Sequence, residues 1–143
     1  MAATTSARIL LTPHPGEFKR LAGEWHDDFE KLAKQRDFAV KFNVYLLLKG
    51  KNTSIACPDG KMYFNPTGNA GMAKGGSGDV LTGLLTGILA SGYSPRETCI
   101  LGAWLHGCAG DMAAKALSQE AMKAGDLVEH LGAAWQLLKE FQG

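Results

Sequence analysis

The chain has little net charge: 15 lysines and arginines stand against 14 aspartates and glutamates in 143 residues, a balance of +1 at neutral pH. That argues against a dedicated nucleic-acid or membrane-surface binder, because either function needs a concentrated basic face. Cysteine is scarce. Cys57, Cys99 and Cys108 are odd in number, widely spaced and lack a Cys-x-x-Cys pair. They fit neither a disulfide framework nor a zinc site, and we expect inert, reduced thiols in a cytoplasmic protein. No apolar run approaches the roughly 18 residues of a membrane span, and residues 1–8 hold no apolar stretch of signal-peptide length. Trp25, Trp104 and Trp135 are too dispersed for a base-stacking surface, so we assign them to core or subunit contacts. Internal repeats and low-complexity linkers are also missing. What remains is the size of one domain, with 45% apolar residues to build its core.

Glycine, by contrast, is abundant. The chain has 18 of them, roughly twice the usual frequency of about 7%. Gly68, Gly71, Gly75, Gly76, Gly78 and Gly83 crowd into one short stretch, which marks a specialised backbone. Around it the elements are readable. Residues 1–8 read as a flexible arm and 9–143 as one unit. A strand over 9–12 stops at Pro13, and a short helix over 17–22 closes at Gly23. Asp27 or Asp28 caps a second helix with Phe29, Leu32, Ala33, Val40 and Phe42 on its apolar face, and Glu30, Lys31, Lys34 and Gln35 towards water. The continuous apolar run 44–48 predicts a strand covered on both faces. A hairpin follows, turning at Pro58-Asp59-Gly60-Lys61. Three helices complete the chain, over 79–91, from Ser94-Pro95-Arg96-Glu97 to about Leu117, and from Asp126 to about Phe141.

The loop 65–78 runs directly into the first of these three helices. A helix start leaves N–H groups unpaired and carries partial positive charge. Glycines just before it let backbone approach an anion closely. Gly75-Gly76-Ser77-Gly78 therefore reads as a phosphate cradle, although it matches neither the P-loop nor the dinucleotide fingerprint. A carboxylate beside such a cradle repels the anion, so Asp79 makes chemical sense as the base that takes a proton from an attacking hydroxyl. On the loop pattern alone, Asp79 as a helix cap stands open beside this and is the commoner role of such an aspartate.

Four ordered segments carry a family resemblance. Asn69-x-Gly71-x-Ala73-x-Gly75-Gly76-Ser77-Gly78-Asp79-Val80-Leu81-x-Gly83 resembles the signature of the ADP/ATP-dependent NAD(P)H-hydrate dehydratases, members of the ribokinase-like superfamily. Thr12-Pro13-His14-Pro15-Gly16-Glu17-Phe18 is similar to that family's HPGE loop, Leu48-Lys49-Gly50-x-x-Thr53 to its KGxxT segment, and Leu105-His106-Gly107-x-Ala109-Gly110-Asp111 to its late helix. The resemblance runs from about Ile9 to the C-terminus and covers the C-terminal part of the family's catalytic domain. It implies a ribokinase-like three-layer α/β/α sandwich, truncated at the N-terminus. It also implies removal of water from the S epimer of hydrated NADH or NADPH, coupled to hydrolysis of ADP, or less readily ATP, with Mg²⁺. Asp79 matches the family's base and touches substrate; Gly75, Gly76, Ser77 and Gly78 match its anion hole. Lys49, Gly50, Lys51, Asn52 and Thr53 fall where the family holds AMP, Asn69 lies on the phosphate side, and His14 matches a residue near the hydrated dinucleotide. No protein metal ligands are expected, and the protein is expected to form a homo-oligomer.

Each residue also has a plainer reading: Lys49 as a solvated strand-end charge, His14 as a hydrogen-bonding loop residue, His106 as a structural histidine, Glu17 as a first-turn charge. Two other functions compete, a small-molecule kinase of the same superfamily and a non-catalytic nucleotide-binding module. Because the resemblance lacks the family's N-terminal half, the substrate pocket is expected to be incomplete and the sheet to have an unpaired edge.

Overall fold

The computed structural model describes residues 9–142; the arm expected over 1–8 lies outside the described residues. Four strands make one mixed sheet in the order β1 (Leu10–Leu11), β2 (Tyr45–Leu48), β3 (Ser54–Ala56), β4 (Met62–Phe64). β1 runs parallel to β2, and the remaining neighbours are antiparallel. The side-chain alternation of β2 and β3 feeds two cores. Leu46, Leu48 and Ala56 face α1 (Pro15–Ala22) and α2 (Asp28–Phe42), where Phe18 and Ala39 are fully buried. Leu47, Ile55 and Cys57 face α3 (Ser77–Ala90) and α4 (Pro95–Leu117), meeting Leu81, Leu85, Cys99 and Ala103. The result is a three-layer α/β/α arrangement. α5 (Ala124–Gln142) lies outside α3 and α4 and buries Ala134 against Leu105, Cys108 and Ala109. Among the described residues no helix is long and apolar enough to cross a membrane.

The capping chemistry sits largely where expected. Asp27 accepts from the Glu30 N–H at 2.8 Å, and Ser94 with Glu97 forms a reciprocal box with Pro95 in the first turn. Gly23, with φ of 87°, ends α1. Three helices begin earlier than the sequence indicated, the first of them α1, at Pro15 rather than Glu17. α3 starts at Ser77 and α5 at Ala124, so Asp79 and Asp126 are third residues inside the first turn. The Asp126 carboxylate reaches back to the Lys123 N–H at 2.7 Å.

The polar face of α2 needs correction. Gln35, expected in water, is fully buried, whereas Phe29, Val40 and Phe42 are exposed. The inward stripe is shifted to Gln35, Phe38 and Ala39, where small Ala39 lets the helix lie close to the sheet. Gln35 tolerates burial because its amide is satisfied: Nε2 donates to the Leu46 and Ser54 carbonyls, both at 3.0 Å, and Oε1 accepts from the Ser54 hydroxyl at 2.7 Å. The edges of the sheet are β1 and β4. Beside β1, an open groove is lined by Leu10 and Thr12 on one wall and Thr82, Leu85, Thr86 and Leu89 of α3 on the other.

Candidate active site

β1 and β2 end side by side, and the Lys49 N–H donates to the Pro13 carbonyl at 3.0 Å. The carboxyl ends of adjacent parallel strands are where open α/β sheets hold ligands. Here the HPGE loop, the Lys49 segment and the start of α3 converge. A Cβ placed on Gly78 would stand 3.0 Å from the Lys49 ammonium nitrogen, so Gly78 lets that cation lie against the helix start.

The start of α3 is left open. Its N-cap is Gly76, held at φ of 92°, a left-handed geometry that favours glycine, and no side chain caps it. Ser77 donates its N–H to the Lys74 carbonyl at 3.2 Å. Among the described residues no acceptor meets the N–H groups of Gly78 and Asp79. Asp79 therefore is not the cap; its side chain is exposed at the third helical position. Two unpaired donors, the positive end of a helix and an ammonium group form a surface suited to an anion. An exposed carboxylate stands directly beside it.

The other expected site residues divide. His14 caps α1: Nδ1 accepts from the Glu17 N–H at 3.2 Å, and Nε2 lies 3.1 Å from the Glu17 carboxylate. The Glu17 carboxyl is held below its usual range, first by the His14 backbone N–H and further by the charges of His14 and Lys49. Gly50, Lys51 and Asn52 are exposed in the turn between β2 and β3, and Thr53 is half-buried beside them. Asn69 has its side chain engaged at both ends: Oδ1 accepts from the Gly71 N–H at 3.0 Å, and Nδ2 donates to Asp111 at 2.9 Å. Gly75 is exposed, with nothing near the position of a Cβ.

Apart from His106, read as a structural histidine, the residues that hold this loop in place carried no individual role in the sequence reading. Asn65 donates to the Ala103 carbonyl at 3.0 Å and the Thr67 hydroxyl to the Trp104 carbonyl at 3.1 Å. Asp111 accepts from the Gly68 N–H at 3.0 Å as well as from Asn69. Lys74 turns away from the cradle and donates to the Glu120 and Met122 carbonyls, both at 2.7 Å. His106 lies 3.0 Å from the Ser77 carbonyl through Nε2. Burial, foremost, lowers its affinity for a proton; the hydrogen bond to the Ser77 carbonyl works against this, and the charge of Lys49 adds to it. The available signal was the Leu105–Asp111 segment, whose residues recur at helical spacing on the side that meets the loop.

The sequence model of one family, described as NAD(P)H-hydrate dehydratase, matches residues 2–132. The chain belongs to this family. It is 49% identical over 137 residues to a bifunctional NAD(P)H-hydrate repair enzyme Nnr of Moorella thermoacetica, covering 92% of this chain and 25% of the relative. It is 35% identical over 130 residues to the ADP-dependent (S)-NAD(P)H-hydrate dehydratase of Bacillus subtilis, covering 90% of this chain and 47% of the relative. A crystal structure of the ADP/ATP-dependent NAD(P)H-hydrate dehydratase from Bacillus subtilis, co-crystallized with ATP/Mg²⁺, superimposes with a TM-score of 0.83 at 35% identity. That match covers 89% of this chain and 47% of the other. A ribokinase-like superfamily protein from Enterococcus faecalis gives 0.74 at 29% identity, over 99% and 47%. The fold is therefore ribokinase-like. The chain spans about half the length of the dehydratase relative and a quarter of the bifunctional one.

Proposed function

We propose that this chain carries the nucleotide side of an ADP-dependent (S)-NAD(P)H-hydrate dehydratase. The observation that carries the reading is the uncapped first turn of α3, with the Lys49 ammonium against Gly78 and the exposed Asp79 beside it. The donors of that turn meet charge that spreads over the oxygens of a phosphoryl group in transfer. Asp79 takes the proton of the ring hydroxyl as the hydroxyl oxygen attacks the terminal phosphorus of ADP, and AMP leaves. The phosphorylated ring then expels phosphate from the former hydroxyl carbon and a proton from its neighbour, restoring the double bond. The sum is hydrated cofactor plus ADP giving reduced cofactor, AMP and phosphate.

Lys49, Gly50, Lys51, Asn52 and Thr53 would line the AMP side. His14, its ring taken up by its own helix, would meet the dinucleotide through its exposed edge. Asn69 would act by shaping the loop. Among the described residues no three His, Cys, Asp or Glu side chains stand together to hold a metal. Magnesium would therefore arrive on the nucleotide's phosphates, whose charge it neutralises when bound. The co-crystallization of the Bacillus subtilis relative with ATP/Mg²⁺ supports a magnesium–nucleotide substrate. We further read the protein as cytoplasmic, and as self-associating through the exposed apolar residues Phe29, Val40 and Phe42 of α2.

The test is turnover of (S)-NADPH hydrate with Mg²⁺ and ADP or ATP, followed by the absorbance of the reduced nicotinamide. We expect restoration with ADP and a loss of at least roughly 100-fold in Asp79→Asn. A stable phosphorylated product would instead indicate a kinase. The groove beside β1 is open where Thr82 and Thr86, on the turns of α3 that follow Asp79, line it, which favours a second reading, a nucleotide-binding module. ADP raising the melting temperature without any turnover would establish that one.

A further inference from the structure

One face of α4 accounts for the course of the glycine loop. The carbonyls of Ala103 and Trp104 accept from Asn65 and Thr67. Gly107 has no side chain where Thr67 sits: a Cβ there would lie 2.1 Å from the Thr67 hydroxyl oxygen. Gly110 leaves the same kind of space for Met72. Asp111 takes the Gly68 N–H and the Asn69 amide at the start of the loop. At the other end stands His106, with Nε2 at 3.0 Å from the Ser77 carbonyl and 3.4 Å from the Ser77 hydroxyl. A carbonyl can only accept, so the ring hydrogen belongs on Nε2. The Ser77 carbonyl shares its peptide plane with the Gly78 N–H and so fixes where that unpaired donor points, and the Asp79 N–H follows in the next peptide of the same turn.

We propose that His106 is a positioning residue: its Nε2–H, held on the Ser77 carbonyl, pins the open first turn of α3 against α4 and so aims that turn's free N–H groups at the phosphate. The anion in this statement rests on the functional reading above; the clamp itself rests on the α4–loop geometry. The burial that lowers the proton affinity of His106 keeps the ring a neutral donor. His106 touches neither Asp79 nor the nucleotide in this scheme, and acts through Ser77.

Three measurements on the full chain test it. The ring nitrogens of ¹⁵N-labelled protein should show the hydrogen on Nε2. His106→Leu should speed hydrogen exchange at Val80, whose N–H bonds to the Gly76 carbonyl, and at the amides just after it, with little change at 84–88. It should also weaken Mg·ADP binding by roughly tenfold, the worth of one hydrogen bond. His106→Gln, which keeps a neutral N–H donor, should restore both readouts to within about threefold. A hydrogen on Nδ1 would overturn the proposal. So would a leucine variant with unchanged exchange and affinity, or leucine and glutamine variants that lose affinity equally as the whole of α3 loosens. If the wild-type chain binds neither Mg·ADP nor pyrophosphate while the tautomer and exchange pattern hold, the functional reading fails and the clamp stands.

Discussion

Gly107→Ala should be far more damaging than the size of one methyl group suggests. The added carbon would lie 2.1 Å from the Thr67 hydroxyl oxygen, 2.7 Å from its carbonyl carbon and 2.8 Å from its Cβ. The hydroxyl cannot swing aside cheaply, because its one hydrogen is shared between two acceptors, the Asn65 Oδ1 and the Trp104 carbonyl, at 3.0 and 3.1 Å. The carbonyl carbon is main chain, so relief requires the loop to lift off α4. Overpacking costs about 1–3 kcal/mol, and the two loop-to-α4 hydrogen bonds that loosen, from Asn65 to the Ala103 carbonyl and from Thr67 to the Trp104 carbonyl, add about 1 kcal/mol each. The better helix propensity of alanine returns about 1 kcal/mol, leaving a net loss of roughly 2–4 kcal/mol. Gly87 is the control, since it is exposed in α3 with nothing near a Cβ. There the same substitution should stabilise by about 0.5–1 kcal/mol. Gly110→Ala should fall between them, because its obstacle is the flexible Met72 side chain. Urea unfolding midpoints of the three variants give the order directly. A Gly107 variant as stable as the wild type, or level with the Gly87 variant, would refute the claim that α4 moulds the loop.

Gln35→Leu should lower stability by roughly 2–3 kcal/mol in spite of its greater hydrophobicity, because it strands the buried Ser54 hydroxyl and removes a donor from two carbonyls; urea midpoints check it. Stability should also fall on acidification. The Asp59 carboxyl is held low by the Arg96 guanidinium and then by the Lys61 N–H, and that of Glu97 by the N–H and hydroxyl of Ser94. Groups depressed in the folded state stabilise it above their unfolded values, so the midpoint should hold from pH 7 to about 5 and decline below about 4. In Asp59→Asn, where that carboxylate no longer titrates, part of the decline should vanish. Finally, burial pushes the Cys99 thiol up to about 12 and raises Cys57 as well, so both should resist maleimide at pH 8 until denaturant is added, as mass spectrometry would show.

The elements that follow local rules were legible in the chain itself. Proline, serine and glutamate at fixed offsets announced α4, and Gly23 announced the end of α1. The hairpin turn at Pro58-Asp59-Gly60-Lys61 and the open start of α3 were readable for the same reason, since each depends on neighbours within four or five residues. Gln35 was misread because burial of an amide is decided by two strand carbonyls, 11 and 19 residues further along the chain. Likewise, the hydrogen bond of the Asn69 amide to Asp111, 42 residues away, has no signal in the local pattern of the chain. Periodicity reports which face of a helix is apolar; it is silent on polar groups that find one another across the fold.

That distinction bears on how the proposed activity divides over the chain. The groups that shape the cradle — the loop, the start of α3, α4 and Lys49 — lie within residues 49–122, and the loop is tied to α4 and to the segment after it by the hydrogen bonds described. The turns of α3 that follow Asp79 are different, because Thr82 and Thr86 line the groove beside β1, which is an edge strand among the described residues. A phosphoryl acceptor needs to be held within about 3–3.5 Å of the reacting atoms, and loose positioning there costs rate far more than affinity. On the proposed function, nucleotide affinity should therefore depend on residues of the cradle such as Lys49, whereas turnover should depend in addition on what closes that groove. Lys49→Ala should accordingly weaken ADP binding measured by calorimetry. Thr86→Arg, which fills the groove one turn and more away from the cradle, should leave ADP affinity unchanged and lower turnover wherever turnover is present. Equal loss of ADP affinity in both variants would mean that the two sides are not separable.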